Sequence, residues 1–174
     1  MAYFVDSSEA RREFDLNTHT TAEALVKALD GVEQVPSGDS SNTQLAIDEL
    51  VDRGFTRANG ARTVGHPRVG VLLTASQASP SNGTIAAAER AHDADIAMMV
   101  VSIAKNNQQQ QQQQQQQPSE LEAIASEPVC QHLFLLNNAT EMNDLKHTVR
   151  RRISQGAFTT RLFTTTITQR ELNK

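Results

Sequence analysis

Cysteine is almost absent from this sequence. Cys130 stands alone among 174 residues, so no internal disulfide forms, and no second cysteine or paired histidine sits at metal-ligand spacing beside it. That leaves a cytosolic and a disulfide-free extracellular setting equally open. No apolar run approaches the ~20 residues a membrane helix needs. Met1 leads directly into strand-like residues, without a basic n-region or an apolar h-region, so no signal peptide is expected. A basic excess is also missing: 16 Lys and Arg against 20 Asp and Glu leave a net charge of -4, which argues against nucleic acid as the main partner, because phosphate binding relies on a basic surface. The triplet Arg150-Arg151-Arg152 is the basic cluster of the chain and reads as the last turn of a helix, facing the negative end of its dipole. Neither G-x-G-x-x-G nor G-x-x-x-x-G-K-[ST] occurs, and Gly60, Gly65 and Gly70 are too widely spaced to cradle a phosphate. His19, His66, His92, His132 and His147 have no Ser, Asp or Cys partner implied by spacing, so no catalytic triad is assigned and no enzymatic activity is expected. Of these, His132 reads as an edge residue of a strand.

What remains is enough for one domain with a core: 38% apolar residues at a mean hydropathy of -0.46, a polar but foldable composition. Residues 2–6 and 12–16 read as two strands of a hairpin around the polar SSEA. A helix follows, with Thr20 and Glu23 as a capping box and Ala22, Leu25, Val26 and Leu29 on one face; Gly31 closes it. A second helix is expected over 43–55, with Ala46, Ile47, Leu50 and Val51 as its stripe. RVGVLLT and IAMMVVSI, with Met98 and Met99 as core residues, are continuous apolar strands of the kind buried on both faces of a parallel sheet. Between them lies an alanine-rich helix ending near Asp93. Ten glutamines, 108–117, bury nothing apolar and read as an insert in a loop. SELEAIAS is a short helix stopped by Pro128, CQHLFLL a further strand, and 140–154 a last helix with Met142, Leu145, Val149 and Ile153 on one face. Two N-x-[ST] sequons, at Asn82 and Asn138, suit exposed loops. The threonine-rich 156–174 has strand-like composition without a clear boundary. Strand–helix alternation with apolar strands implies an α/β fold with right-handed crossovers.

The stretches ARREFDLNTHTTAEALVKALDGV, SSNTQLAIDEL, GAR…HPRVGVLLT and ELEAIASEP…HLF keep their order and spacing in a way that resembles the von Willebrand factor A-type domain, closest in flavour to collagen VI and matrilin. The resemblance covers residues 2–155, with 106–118 as the glutamine insert and 156–174 as a tail. It implies a doubly wound, mostly parallel sheet between helices, with a metal-ion-dependent adhesion site at the carboxyl ends of the strands. In the family the hairpin before "EFDLN" is formed by the second and third strands. FVDSSE therefore matches a hairpin and not the D-x-S-x-S metal loop that follows the first strand. The residues agree, since the fifth position of that pattern is Ala10, which has no hydroxyl.

On this alignment the first strand, its metal loop and the first helix have no counterpart in these residues. In the family strand order 3-2-1-4 the first strand lies between the second and the fourth, so two apolar edges are expected to be left open or to pair directly, with self-association as a consequence. Two further metal ligands belong to the family pattern. A threonine of a G-G-T-N-T loop is matched by Ser41, which keeps an oxygen; the aspartate of a T-D-G segment is matched by Ala75. With both aspartates gone, no metal or other cofactor is expected. The resemblance implies a non-enzymatic, protein-binding adhesion module of extracellular-matrix type, an extracellular location, and partners such as collagen or other matrix components. The alternative is an incomplete or degenerate fragment with no stable independent function.

Overall fold

A computed structural model describes residues 2–5, 10–32, 42–63, 65–74, 81–103, 120–136 and 140–154. Strands β1 (Ala2–Val5) and β2 (Ala10–Phe14) pair antiparallel, with Val5 opposite Ala10, so the segment opening the chain is a hairpin. The second strand begins two residues earlier than expected and ends at Phe14. Beyond it, Thr18 N–H donates to the Asp15 carbonyl and the chain turns, leaving Leu16 partly exposed. Phe14 is buried, with the His19 ring edge-on at 5.1 Å.

Helix α1 (Ala22–Asp30) is capped by Thr21, whose hydroxyl accepts from Ala24 N–H at 3.2 Å, and not by the neighbouring Thr20. Helix α2 (Thr43–Glu49) starts at Asn42, whose side chain accepts from Leu45 N–H, and continues as a π turn over Leu50–Gly54. Strand β3 (Arg68–Thr74), helix α3 (Asn82–Asp93) and strand β4 (Ile96–Ile103) follow as a crossover unit whose two strands are parallel. Helix α4 (Glu120–Ile124) and the single turn α5 (Val129–His132) lead into β5 (Leu133–Leu136), parallel to β4, and α6 (Glu141–Ser154) ends the described chain. The strand expected over CQHLFLL is therefore half helix: its first residues form α5. His132 consequently ends a helical turn instead of lying on a strand, and its ring Nδ1 donates to the Pro128 carbonyl at 3.2 Å in a buried setting.

The strands form a sheet ordered β3-β4-β5 and a separate two-stranded sheet β1-β2. Alternation along the parallel strands divides the core in two. On one face Met98, Val100, Leu72 and Leu133 meet Ile47 of α2, Ala87, Ala88 and Ala91 of α3, and Leu121 and Ile124 of α4. The alanines let α3 approach the sheet closely. On the other face Val101, Leu136, Ile103 and Phe134 meet Leu145 and Val149 of α6. Met98 and Met99 are fully buried, as their place in an apolar strand requires.

Two expectations fail here. RVGVLLT is not covered on both faces: Val71 and Leu73 are 50% and 64% exposed among the described residues. The apolar stripe of α1 is uncovered too, with Leu25, Val26 and Leu29 exposed. Both failures have one cause. Apolar patterning marks surface that could be buried, but burial needs a packing element, and none of the described elements reaches these positions. Helix α2 bridges the two sheets. It touches β1 and β2, while Leu50 in the π turn lies over Gly70 of β3, where an added Cβ would come within 2.6 Å of the Leu50 methyl.

Candidate functional site

Open parallel sheets bind ligands at the carboxyl ends of their strands, where loops diverge. In this sheet β3 and β4 end side by side, with Thr74 opposite Ser102 in the parallel register. Ser102 is 1% exposed, and its hydroxyl has no hydrogen-bond partner among the described residues. Nothing in the sequence signalled it, because it sits near the end of an apolar run and reads as strand filler.

Helix α2 begins at its cap Asn42, directly after Ser41 in the chain, and helix α3 at its cap Ser81, six residues after Ala75. The first turns of these helices touch: a Cβ on Gly83 would fall 2.0 Å from the Gln44 side-chain oxygen, so the glycine is what allows the approach. Asn42 and Ser81 are committed to capping. Ser81 Oγ accepts from Thr84 N–H at 3.0 Å and shares a second hydrogen bond with the Thr84 hydroxyl. Ser41, Ala75 and residues 6–9 lie outside the described residues. Their described neighbours in the chain, Asn42 and Thr74, stand 32 positions apart.

Among the described residues the strand ends carry the hydroxyls of Thr74 and Ser102, and the buried carboxyl of Glu120 opens α4, the helix that follows β4. Among the described residues, no group of three His, Cys, Asp or Glu could hold a metal ion. Asp48 and Asp52 are one helical turn apart, but both pair with Arg90 of α3, so they face the helix layer. Magnesium demands near-octahedral oxygen ligation with carboxylate charge close by. The hydroxyls of Thr74 and Ser102 by themselves do not meet that requirement.

The remaining histidines and the thiol stay dispersed. His92 Nε2 donates to the Ile124 carbonyl at 3.2 Å, tying α3 to α4. His66 and His147 are exposed, and so is the free Cys130. The sequon at Asn82 does not lie in a loop: it forms the first turn of α3, and its Thr84 is buried with its hydroxyl engaged. No helix among the described residues is long and apolar enough to cross a membrane.

A parallel sheet between helices and a leading hairpin invite comparison with known proteins. A profile of the von Willebrand factor type A domain matches residues 3–148. Mouse (Mus musculus) matrilin-2 is 28% identical over 86% of this chain, and human matrilin-4 is 33% identical over 73% of it. The chain spans 14% and 18% of those two relatives' own lengths. Among solved structures, proximal thread matrix protein 1 from the mussel byssus superposes with a TM-score of 0.64 at 16% identity, covering 79% of this chain and 32% of that one. Another structure of that mussel protein, with a zinc-occupied MIDAS motif, gives 0.66 at 15% identity, with 82% and 33% covered. At such identity the two structures bear on fold alone. The match over nearly the whole described chain, together with the sheet order and the hairpin, places this chain in the von Willebrand factor type A domain family.

Proposed function

We propose that this chain is a non-enzymatic protein-binding module of extracellular-matrix type, acting outside the cell, whose family metal site is degenerate. Family membership and the likeness to matrilins support the matrix role. The observation that carries the metal-independent part is that the described strand ends offer the hydroxyls of Thr74 and Ser102; Ser41 and Ala75, the residue types at the two family ligand positions, lie outside the described residues. Ser41 retains an oxygen of ligand type, and Ala75 has none. One hydroxyl position without carboxylate charge does not displace the hydration shell of magnesium. Partners of this module are proteins, collagen or another matrix component, held by shape and polar contacts instead of a bridging cation.

Calorimetric titration with magnesium and manganese tests the reading. The expected result is no stoichiometric site below the millimolar range, and equal capture by a collagen-coated surface in EDTA and in magnesium. The Ala75→Asp variant should behave the same way, since a single restored carboxylate leaves the other ligands missing. A sub-millimolar stoichiometric site in the unaltered chain, or capture abolished by EDTA, would overturn the proposal.

The second reading is a fragment without stable independent function. It is favoured by the exposed Val71, Leu73, Leu25, Val26 and Leu29. A non-cooperative thermal melt would favour it. Self-association through the edge of β3, which is unpaired among the described strands, is the related fate.

A further inference from the structure

Asn82-Gly83-Thr84 is an acceptor pattern for N-linked glycosylation, and it forms the first turn of α3. Asn82 is exposed, whereas Thr84 is 3% exposed with its hydroxyl held by Ser81. The two ends of the pattern face opposite ways, one to solvent and one to the core. We propose that Asn82 carries an N-linked glycan, attached before α3 docks on the sheet. The proposal rests on the extracellular reading above, because the modifying enzyme lies on the secretory route.

Helix geometry fixes where the acceptor points. Successive residues of an α-helix turn by about 100°, so side chains two positions apart differ by about 200° around the axis. Thr84, Ala87, Ala88 and Ala91 form the buried stripe of α3. Asn82 falls on the other side, in line with Ala86, Glu89 and Asp93, all of them exposed. Burying Thr84 in the core thus holds Asn82 outward. Gly83, between them, abuts the Gln44 side chain of α2, so the turn is pinned on one side while its asparagine stays open. A bulky, hydrated oligosaccharide needs such a surface position.

The hydroxyl fixes when the transfer happens. Transfer joins the Asn82 side-chain nitrogen to the anomeric carbon of a diphospholipid-linked oligosaccharide. The carbon–oxygen bond to the diphosphate breaks, and the nitrogen gives up a proton. The acceptor pattern requires Ser or Thr two residues after the asparagine, so the transferring enzyme must reach that hydroxyl. In the folded chain Thr84 Oγ1 lies 2.8 Å from Ser81 Oγ, and Thr84 N–H donates to the same Ser81 oxygen at 3.0 Å. A buried hydroxyl held by the helix cap is closed to an enzyme. Modification therefore belongs to the chain before α3 forms, and the Ser81 cap closes afterwards.

The place matters for the surface around it. Strand β3 ends at Thr74, and α3 leads from that end back to the start of β4, which runs parallel to β3. The first turn of α3 therefore lies at the carboxyl end of the sheet, the same end as Thr74 and Ser102. A glycan on Asn82 makes this end more hydrated, and a protein partner meeting it there has to accommodate the sugar.

Expression of the 174-residue chain in animal cells, behind a cleavable secretion leader, tests the site. Enzymatic deglycosylation in heavy-oxygen water turns each modified asparagine into labelled aspartate, which peptide mapping locates. The expected result is label at Asn82 in most leader-cleaved chains. Asn82→Gln should lose that glycan and keep its thermal melt. The order of events is tested on unmodified folded chain from bacteria, offered to detergent-solubilised transferase with its lipid-linked donor. Ile47 shares a core cluster with Ala87, Ala88 and Ala91 of α3. Ile47→Ala should therefore be modified at Asn82 at least tenfold faster than the unaltered chain, because local opening exposes Thr84. Leader-cleaved chains with Asn82 unmodified would overturn the proposal, and so would equal rates for the two bacterial proteins. The leader supplies the compartment, so an empty Asn82 counts against this site alone. The natural location of the protein, read by cell fractionation, bears on the extracellular reading instead.

Discussion

A hydroxyl without a partner sits one residue from the end of β4. Ser102 Oγ is buried and unbonded among the described residues, and an unsatisfied buried hydroxyl costs about 1–3 kcal/mol relative to a bonded one. Ser102→Ala should therefore leave stability unchanged or raise it by about 1 kcal/mol, read as the midpoint of urea unfolding. A loss above 1 kcal/mol would mean that the hydroxyl is bonded in solution. Ile47→Ala gives the opposite scale: its side chain fills the centre of the larger core cluster, and deleting it should cost about 2–5 kcal/mol. One of the two residues was legible in the sequence. The helical stripe announced Ile47, because buried apolar positions repeat with the helix period. Ser102 and His132 were not announced, because one polar residue in an apolar run says nothing about its own partner. The cap of α1 shows a finer limit. Thr20 and Thr21 are adjacent and chemically identical, so a capping pattern anchored on Glu23 could not tell which hydroxyl would meet an unpaired amide.

Among the elements, continuous apolar runs were the clearest signals, and β4 spans the expected residues. Short elements were harder. Four residues such as α5 hold barely one helical period, too little to show a repeat, so CQHLFLL read as a strand throughout. Helix α1 is more instructive. Its stripe was read correctly as one face, yet that face is uncovered, because a pattern within one element cannot supply the neighbour that would bury it. Helices α1 and α4 therefore respond differently to the same change. Leu29→Ala, on the exposed face of α1, should shift stability by less than about 0.5 kcal/mol. Leu121→Ala, buried between α4 and the sheet, should cost about 2–5 kcal/mol. Parallel denaturant titrations of the two variants check this. A cost above about 1.5 kcal/mol at Leu29 would show that the face of α1 is buried in solution.

At the scale of the whole molecule, family order and spacing gave the architecture, because crossover chirality and strand length leave few ways to arrange these segments. The strand-end site was read only as residue types, Ser41 and Ala75, which lie outside the described residues; a list of types carries no geometry, because loops take their shape from what surrounds them. The division of the strands into two sheets has a consequence of its own. Among the described residues no strand ladder joins the hairpin to β3, and the hairpin is held by α2 and by a small knot of turns. In that knot Leu16 N–H donates to the Asn59 carbonyl at 3.1 Å, and the Asn17 side-chain amide to the Ala58 carbonyl at 3.3 Å. Gly60 makes the contact possible. Its φ is +90°, and a Cβ there would lie 2.6 Å from Asn17 Cβ and 2.7 Å from Asn17 N. Gly60→Ala thus combines an unfavourable backbone, about 1–2 kcal/mol, with a clash against main chain that has no rotamer by which to retreat. The strain falls where the hairpin is tied down, and relief comes most cheaply from releasing the hairpin. Amide exchange should therefore rise in β1 and β2 by tenfold or more, while β3 and β4, held by their own ladder and by α3, stay within a factor of two or three. An equal rise in both sheets would mean that they unfold as one cooperative unit and that the separate hairpin has no independent equilibrium.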